Sequence, residues 1–188
     1  KTMLNTFVVY VENKPGVLTR VASLFRRRAF NIDSLTVGRT EKPEVSRMTI
    51  VVDADIDQAH RVEANLYKLV EVLFVENITG KSAISRDLAM IKVSATHDTR
   101  SHVLELANVF RSRVVDVGQE SLTIEITGPE AKIDGLLEVL RPYGIIEMVR
   151  TGVVAMRRGV KSESTSPSAV TGNGTESVAP DDNVSYSV

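Results

Sequence analysis

Apolar residues along this chain recur with two periods, and each change of period marks an element. Leu4-Asn5-Thr6-Phe7-Val8-Val9-Tyr10-Val11 is rich in β-branched and aromatic residues and predicts a strand. Val17, Leu18, Val21, Leu24 and Phe25 then fall at helical spacing and predict a helix over about residues 16–28. Arg26, Arg27 and Arg28 occupy its last turn, where cations suit the helix dipole. Strands follow over 32–39 and about 45–52, joined by the polar hairpin Thr40-Glu41-Lys42-Pro43-Glu44. Asp53-Ala54-Asp55 starts a second helix with Ala59, Val62, Leu66 and Leu69 on one face, and a fourth strand spans 72–79.

The pattern then repeats. A strand over 88–95 is followed by Asp98-Thr99, which can cap a helix bearing Val103, Leu106, Ala107 and Phe110. A short strand over 114–117 and a strand through Leu122, Ile124 and Ile126 come next. Gly128-Pro129 opens a helix carrying Ile133, Leu136, Leu137 and Leu140, and after Gly144 a last strand runs over 145–156. Each half reads βαββαβ, which packs as a four-stranded antiparallel sheet with both helices on one face. The predicted class is α+β: two tandem ferredoxin-like domains over 1–80 and 81–159. Residues 160–188, dominated by Ser, Thr, Gly, Pro, Asn and acidic residues, read as a disordered tail. The first strand is apolar on both sides, with Phe7, Val9 and Val11 on one and Leu4, Val8 and Tyr10 on the other. Helices cover one side; the other needs a second subunit or the second half of the chain.

Composition narrows the function. The 188 residues are 43% hydrophobic, enough for real cores, and a net charge of −1 gives no bulk attraction to nucleic acid or acidic lipid. No run of about twenty apolar residues predicts a membrane span. The chain has no cysteine, and a first strand beginning almost at residue 1 predicts no signal peptide within it, though one could have been removed. A cytoplasmic protein is the expectation.

The turn Val11-Glu12-Asn13-Lys14-Pro15-Gly16-Val17-Leu18 carries the candidate chemistry. Gly16 sits where a helix begins and no side chain blocks approach, so free backbone N–H groups there suit a carboxylate. Pro15 stiffens the turn, and Asn13 offers an acceptor and donors beside it. An ordinary strand-to-helix turn is the competing reading. His97, His102 and Asp98 match no compact metal site, and His60 lies in the other half. No G-x-S-x-G elbow, P-loop or G-x-G-x-x-G is present, so no catalytic set emerges. RNA-binding modules of this fold stack bases on aromatics of the central strands amid basic residues; here those strands carry Met48, Ile50, Val52, Leu35 and Val37, and the chain is slightly acidic.

Val11-Glu12-Asn13-Lys14-Pro15-Gly16-Val17-Leu18-Thr19-Arg20-Val21, Phe25-Arg26-Arg27-Arg28-Ala29-Phe30-Asn31-Ile32-Asp33-Ser34-Leu35-Thr36-Val37 and Ser46-Arg47-Met48-Thr49-Ile50 together resemble the regulatory (small) subunit of acetolactate synthase. The likeness continues in Phe110-Arg111-Ser112-Arg113-Val114-Val115-Asp116-Val117 and Arg150-Thr151-Gly152-Val153-Val154-Ala155-Met156-Arg157-Arg158-Gly159, and covers about residues 4–160. It implies an ACT domain in the first half that binds a branched-chain amino acid, usually valine, between two ACT domains. Leucine and isoleucine are implied as weaker ligands. It implies that the chain binds and activates a large catalytic subunit and confers feedback inhibition on it. Thiamine diphosphate, magnesium and FAD are then expected in that subunit and no cofactor in this chain. The effector pocket is implied to use Asn13, Gly16, Val17 and Leu18 of one subunit with Asn31 and Ile32 of its partner, and the bare face of the first strand to be a dimer surface. Two other classes compete: a free-standing amino-acid-binding regulator, for which no helix-turn-helix is visible, and an enzyme in its own right. Many relatives have glycine where Ala29 stands; a positive φ there makes alanine cost about 1 kcal/mol.

Overall fold

A computed structural model describes residues 3–159; the predicted tail over 160–188 lies outside the described residues. Strand β1 (Met3–Glu12), helix α1 (Val17–Arg27), β2 (Ile32–Arg39), β3 (Val45–Ala54), α2 (Ile56–Leu66) and β4 (Val72–Asn77) form the first unit. Its sheet is antiparallel in the order β2-β3-β1-β4. Alternation puts Phe7, Val9 and Val11 of β1 with Met48, Ile50 and Val52 of β3, and both helices bury Val21, Phe25, Val62 and Leu66 against them. Asp55 caps α2: its carboxylate accepts from the Gln58 amide at 2.7 Å, and the Gln58 side chain accepts in return from the Asp55 amide at 3.0 Å. Leu69 packs on the core from beyond the helix end rather than from within it.

The second unit repeats the order with β5 (Ala83–Ser94), α3 (Arg100–Val109), β6 (Arg113–Val117), β7 (Ser121–Gly128), α4 (Glu130–Leu140) and β8 (Ile145–Arg150), in the sheet order β6-β7-β5-β8. Ile91, Val93, Leu122, Ile124, Ile133, Leu136 and Leu140 fill its core. Both units therefore have the predicted βαββαβ arrangement. The first helix of each ends alike. Phe30 N–H donates to Phe25 O at 3.1 Å and Ala29 N–H to Arg26 O at 3.2 Å; Ser112 N–H donates to Ala107 O and Arg111 N–H to Asn108 O, both at 2.9 Å. These are Schellman closures, and each places a residue other than glycine at positive φ: Ala29 at 55° and Arg111 at 50°. The Phe25 and Phe30 rings pack edge to face across the first, with centroids 6.1 Å apart.

Two expectations need correction. The last strand is not continuous over 145–156: β8 stops at Arg150, Gly152 turns with φ 88°, and a separate strand β9 (Val154–Arg157) follows. β5 starts earlier than expected, at Ala83, and its extra residues pair with β9, Ala83 opposite Arg157 and Arg86 opposite Val154. The resulting ribbon lies on the open face of the first sheet. Val8, Ile78 and Ala155 form a buried cluster there, joined by Tyr10, Ala83 and Val153, and Val8 is only 3% exposed. At Val8 and Tyr10 the second face of β1 is thus covered by the chain's own second half, where a dimer surface was implied, while Leu4 stays 47% exposed. Arg47 donates to the Ala155 carbonyl, and Arg157 pairs with Glu76 at 2.9 Å.

Candidate functional site

β1 ends at Glu12, and the turn that follows is tied to the β2–β3 hairpin. The Asn13 amide N–H donates to Glu44 O at 2.7 Å, and its side-chain Nδ2 donates to Pro43 O at 2.9 Å. That orientation commits the Asn13 donor and presents Oδ1 as an acceptor. Gly16 stands at the N-cap of α1 with φ 84° and ψ −9°. A Cβ there would meet nothing within 4 Å, so the left-handed backbone and not crowding calls for glycine. Among the described residues no side chain caps α1, and its first turn holds no acidic residue. The Gly16 carbonyl accepts from Arg20 N–H at 3.0 Å, while the amides of Leu18 and Thr19 precede any intrahelical acceptor.

The six candidate residues fall into two groups. Asn13, Gly16, Val17 and Leu18 cluster at the turn, but Val17 is 5% exposed and its side chain belongs to the core. Leu18 is 45% exposed. Asn31 is exposed and Ile32 half-buried where β2 begins. The register places Ile32 opposite Val52 and Arg39 opposite Ser46, while Glu12 pairs with Val45. The start of β2 is therefore at the far end of the sheet from the turn, separated by the length of α1, about 16 Å for its 11 residues. One chain does not bring the two groups together.

An open groove of about 370 Å³ runs along the outer flank of α1, lined by Leu18, Thr19, Ala22, Ser23 and Arg26. A second hollow, about 400 Å³, lies between the C-terminal ends of α1 and α2 and is lined by Leu24, Arg27, Arg28, Asn65, Lys68 and Leu69. None of the six candidates lines that hollow, and its cations sit where helix C-termini favour them without a ligand. Among the described residues no three or more His, Cys, Asp or Glu side chains gather to hold a metal. No helix among them is long and apolar enough to cross a membrane. The structure sets the segment 150–159 between the two units, touching Ser34, Thr36, Arg47 and Glu76.

Residues 7–74 match the family model "AHAS small subunit-like ACT domain", and residues 86–159 match "Small subunit of acetolactate synthase". A probable acetolactate synthase small subunit of Archaeoglobus fulgidus is 52% identical over 159 residues, 85% of this chain and 99% of its own. The acetolactate synthase small subunit of Mycolicibacterium smegmatis is 49% identical over 158 residues, 84% of this chain and 93% of its own. The crystal structure of the small subunit from Thermotoga maritima superposes with a TM-score of 0.79 at 38% identity, covering 85% of this chain and 99% of that one. Both units, in order and across nearly the full length of these relatives, thus place the chain in the acetolactate synthase small-subunit family.

Proposed function

We propose that this chain is the non-catalytic regulatory partner of a large acetolactate synthase subunit, activating it and making it answer to a branched-chain amino acid, valine foremost. The sensing site would form where two copies meet along β2. β2 is a sheet edge with one open side, and a two-fold axis through paired edges would run the two strands antiparallel. The start of one β2 then lies beside the end of the other, and with it beside the other copy's turn at Asn13–Leu18. The groove on the outer flank of α1 faces the same side, since α1 connects β1 to β2 across β3.

In that arrangement the ligand carboxylate would meet the open amides after Gly16, and Asn13 Oδ1 would accept from the ammonium. Leu18 and the partner copy's Ile32 would receive the isopropyl group, with Asn31 bonding the polar end. A methylene more or less changes such a fit by about 1–3 kcal/mol, so leucine and isoleucine bind more weakly. Inhibition requires valine to prefer the less active state of the complex; couplings of this kind are commonly about 1–3 kcal/mol. Thiamine diphosphate, magnesium and FAD are assigned to the large subunit, and the complex to the cytoplasm.

The observation that carries this reading is the uncapped helix start at a left-handed glycine, at the opposite end of the sheet from Asn31 and Ile32. Calorimetric titration of the purified chain with valine, leucine and isoleucine tests it. Saturable binding with valine tightest is expected, and a folded dimer that binds none of the three, alone or with its large subunit, contradicts it.

A further inference from the structure

The segment Arg150–Gly159, with Gly152 at its turn, is bound from both sides. On the second unit, Thr151 Oγ1 donates to Asp87 Oδ1 at 3.0 Å, and Thr151 N–H donates to Leu88 O at 3.0 Å. Arg150 places its Nε 3.3 Å from Asp87 Oδ2 and another guanidinium nitrogen 2.7 Å from Asp134. Asp87 is 5% exposed, so the Thr151 bond to its carboxylate is part-buried and charge-assisted. On the first unit, Val153 N–H donates to Ser34 Oγ at 2.9 Å, and Thr36 Oγ1 donates to the Val153 carbonyl at 2.7 Å. Both backbone polar groups of one residue are therefore held by hydroxyls of a single strand. Gly152 leaves room for this contact: a Cβ would stand 2.7 Å from Ser34 Oγ and 3.4 Å from Thr36 Oγ1.

That strand is β2, which begins with Ile32. The β2–β3 register slips between Ile32 and Ser34, so that Ile32 opposes Val52 while Ser34 already opposes Val51. The irregularity lies between the proposed effector contacts and the first hydroxyl of the clasp, with Asp33 the residue outside the ladder. Irregularities of this kind re-aim side chains and are where a strand can change alignment over a short distance. The apolar cluster of Val8, Ile78 and Ala155 already packs the two units together through β1 and β9. The two hydroxyl bonds add a directional link from the edge strand alone.

We propose that the Ser34–Val153–Thr36 clasp is the coupling element of this regulator: a ligand that draws on Asn31 and Ile32 re-sets β2 at Asp33, and the clasp hands that change to the β8–β9 turn of the second unit. The proposal rests on the effector site described above. It makes Ser34 and Thr36 positioning residues that touch no ligand, and it requires valine binding and valine inhibition to be separable. Effector couplings are typically about 5-fold to 150-fold in affinity, and that factor is what the clasp carries.

The test uses the full chain reconstituted with its large subunit. Ser34→Ala combined with Thr36→Val removes both hydroxyls. The isosteric Thr36→Val alone is a milder form, and Thr36→Ser restores the donor. Expected in the double variant are wild-type valine affinity by calorimetry of the chain alone, and in the reconstituted complex wild-type activation with loss of most inhibition at saturating valine. Partial loss is expected in Thr36→Val, and full inhibition in Thr36→Ser. In the wild type, valine should change the hydrogen exchange of residues 150–155. Full inhibition in a folded, valine-binding Thr36→Val or double variant overturns the clasp and leaves the pocket standing. Unchanged exchange over 150–155 on valine binding also overturns it. A wild type that does not bind valine overturns the pocket reading first, and the clasp with it.

Discussion

The two units share an architecture down to the closure of their first helices, yet their equivalent strand-to-helix turns are built differently. In the first, the turn after β1 carries Gly16 in the left-handed region and an uncapped helix start, and Asn13 ties it to the neighbouring hairpin through bonds to Pro43 and Glu44. In the second, the turn after β5 is filled by protein. Thr96 and Thr99 hydroxyls lie 3.1 Å apart, and the Arg100 guanidinium folds back to donate to the carbonyls of Gly118 at 2.8 Å and Ala95 at 3.3 Å, and also to that of Gln119. The sequence expectation that Asp98-Thr99 caps this helix is met only in position: Thr99 is the N-cap, but its hydroxyl accepts from Thr96 N–H at 3.0 Å instead of from the helix. A single fold thus sets a left-handed glycine at one strand-to-helix turn and an arginine bonded to neighbouring carbonyls at the other. The comparison teaches that a repeat in topology is no repeat in local chemistry.

The largest effect should come from breaking the open turn. Gly16→Asp sets a carboxylate where the ligand carboxylate belongs, and valine binding should fall beyond calorimetric detection. The positive φ adds only about 1 kcal/mol of backbone cost, so the variant stays folded. Thr99→Asp at the matching turn of the second unit should leave valine binding unchanged. Closing the comparison from the other side, Arg100→Ala strips the Gly118 and Ala95 carbonyls of their donor. It should cost about 2 kcal/mol in urea unfolding without altering valine affinity. Asn13→Ala removes both the link to Pro43 and the acceptor for the ammonium, and should weaken valine about tenfold, or about 1.4 kcal/mol. The smallest effect is at the shared helix closure. Ala29→Gly and Arg111→Gly should each stabilise by about 1 kcal/mol in denaturant melts, because each relieves a side chain held at positive φ.

Sequence pattern was a good guide wherever the deciding interaction is local. β2 falls over 32–39 as its alternation indicates, α2 starts at the acidic cap Asp55, and Ala29 takes the positive φ that the end of a helix demands. What local pattern could not carry is pairing at long range. Alternation runs on from Ile145 to Met156, and only the reach of β5 back to Ala83 and the left-handed turn at Gly152 show that two strands are involved. The Thr151-Gly152 pair inside an apolar run was the available signal of a break. The same blind spot explains the second face of β1: its apolar residues announce a partner, but periodicity cannot say that Ala155, well over a hundred residues away, supplies it. At the candidate site, helical spacing put Val17 and Leu18 on one apolar stripe, whereas Val17 turns into the core and Leu18 outward.

A sensing pocket shared between two copies is tested most directly by complementation. Gly16→Asp spoils the turn, and Asn31→Trp places bulk at the exposed start of β2; each variant alone should bind no valine. Mixed and allowed to exchange subunits, the two should regain calorimetric binding, because each mixed dimer holds one site with a native turn from one copy and a native Asn31 from the other. A mixture that exchanges subunits yet stays silent would contradict a shared pocket.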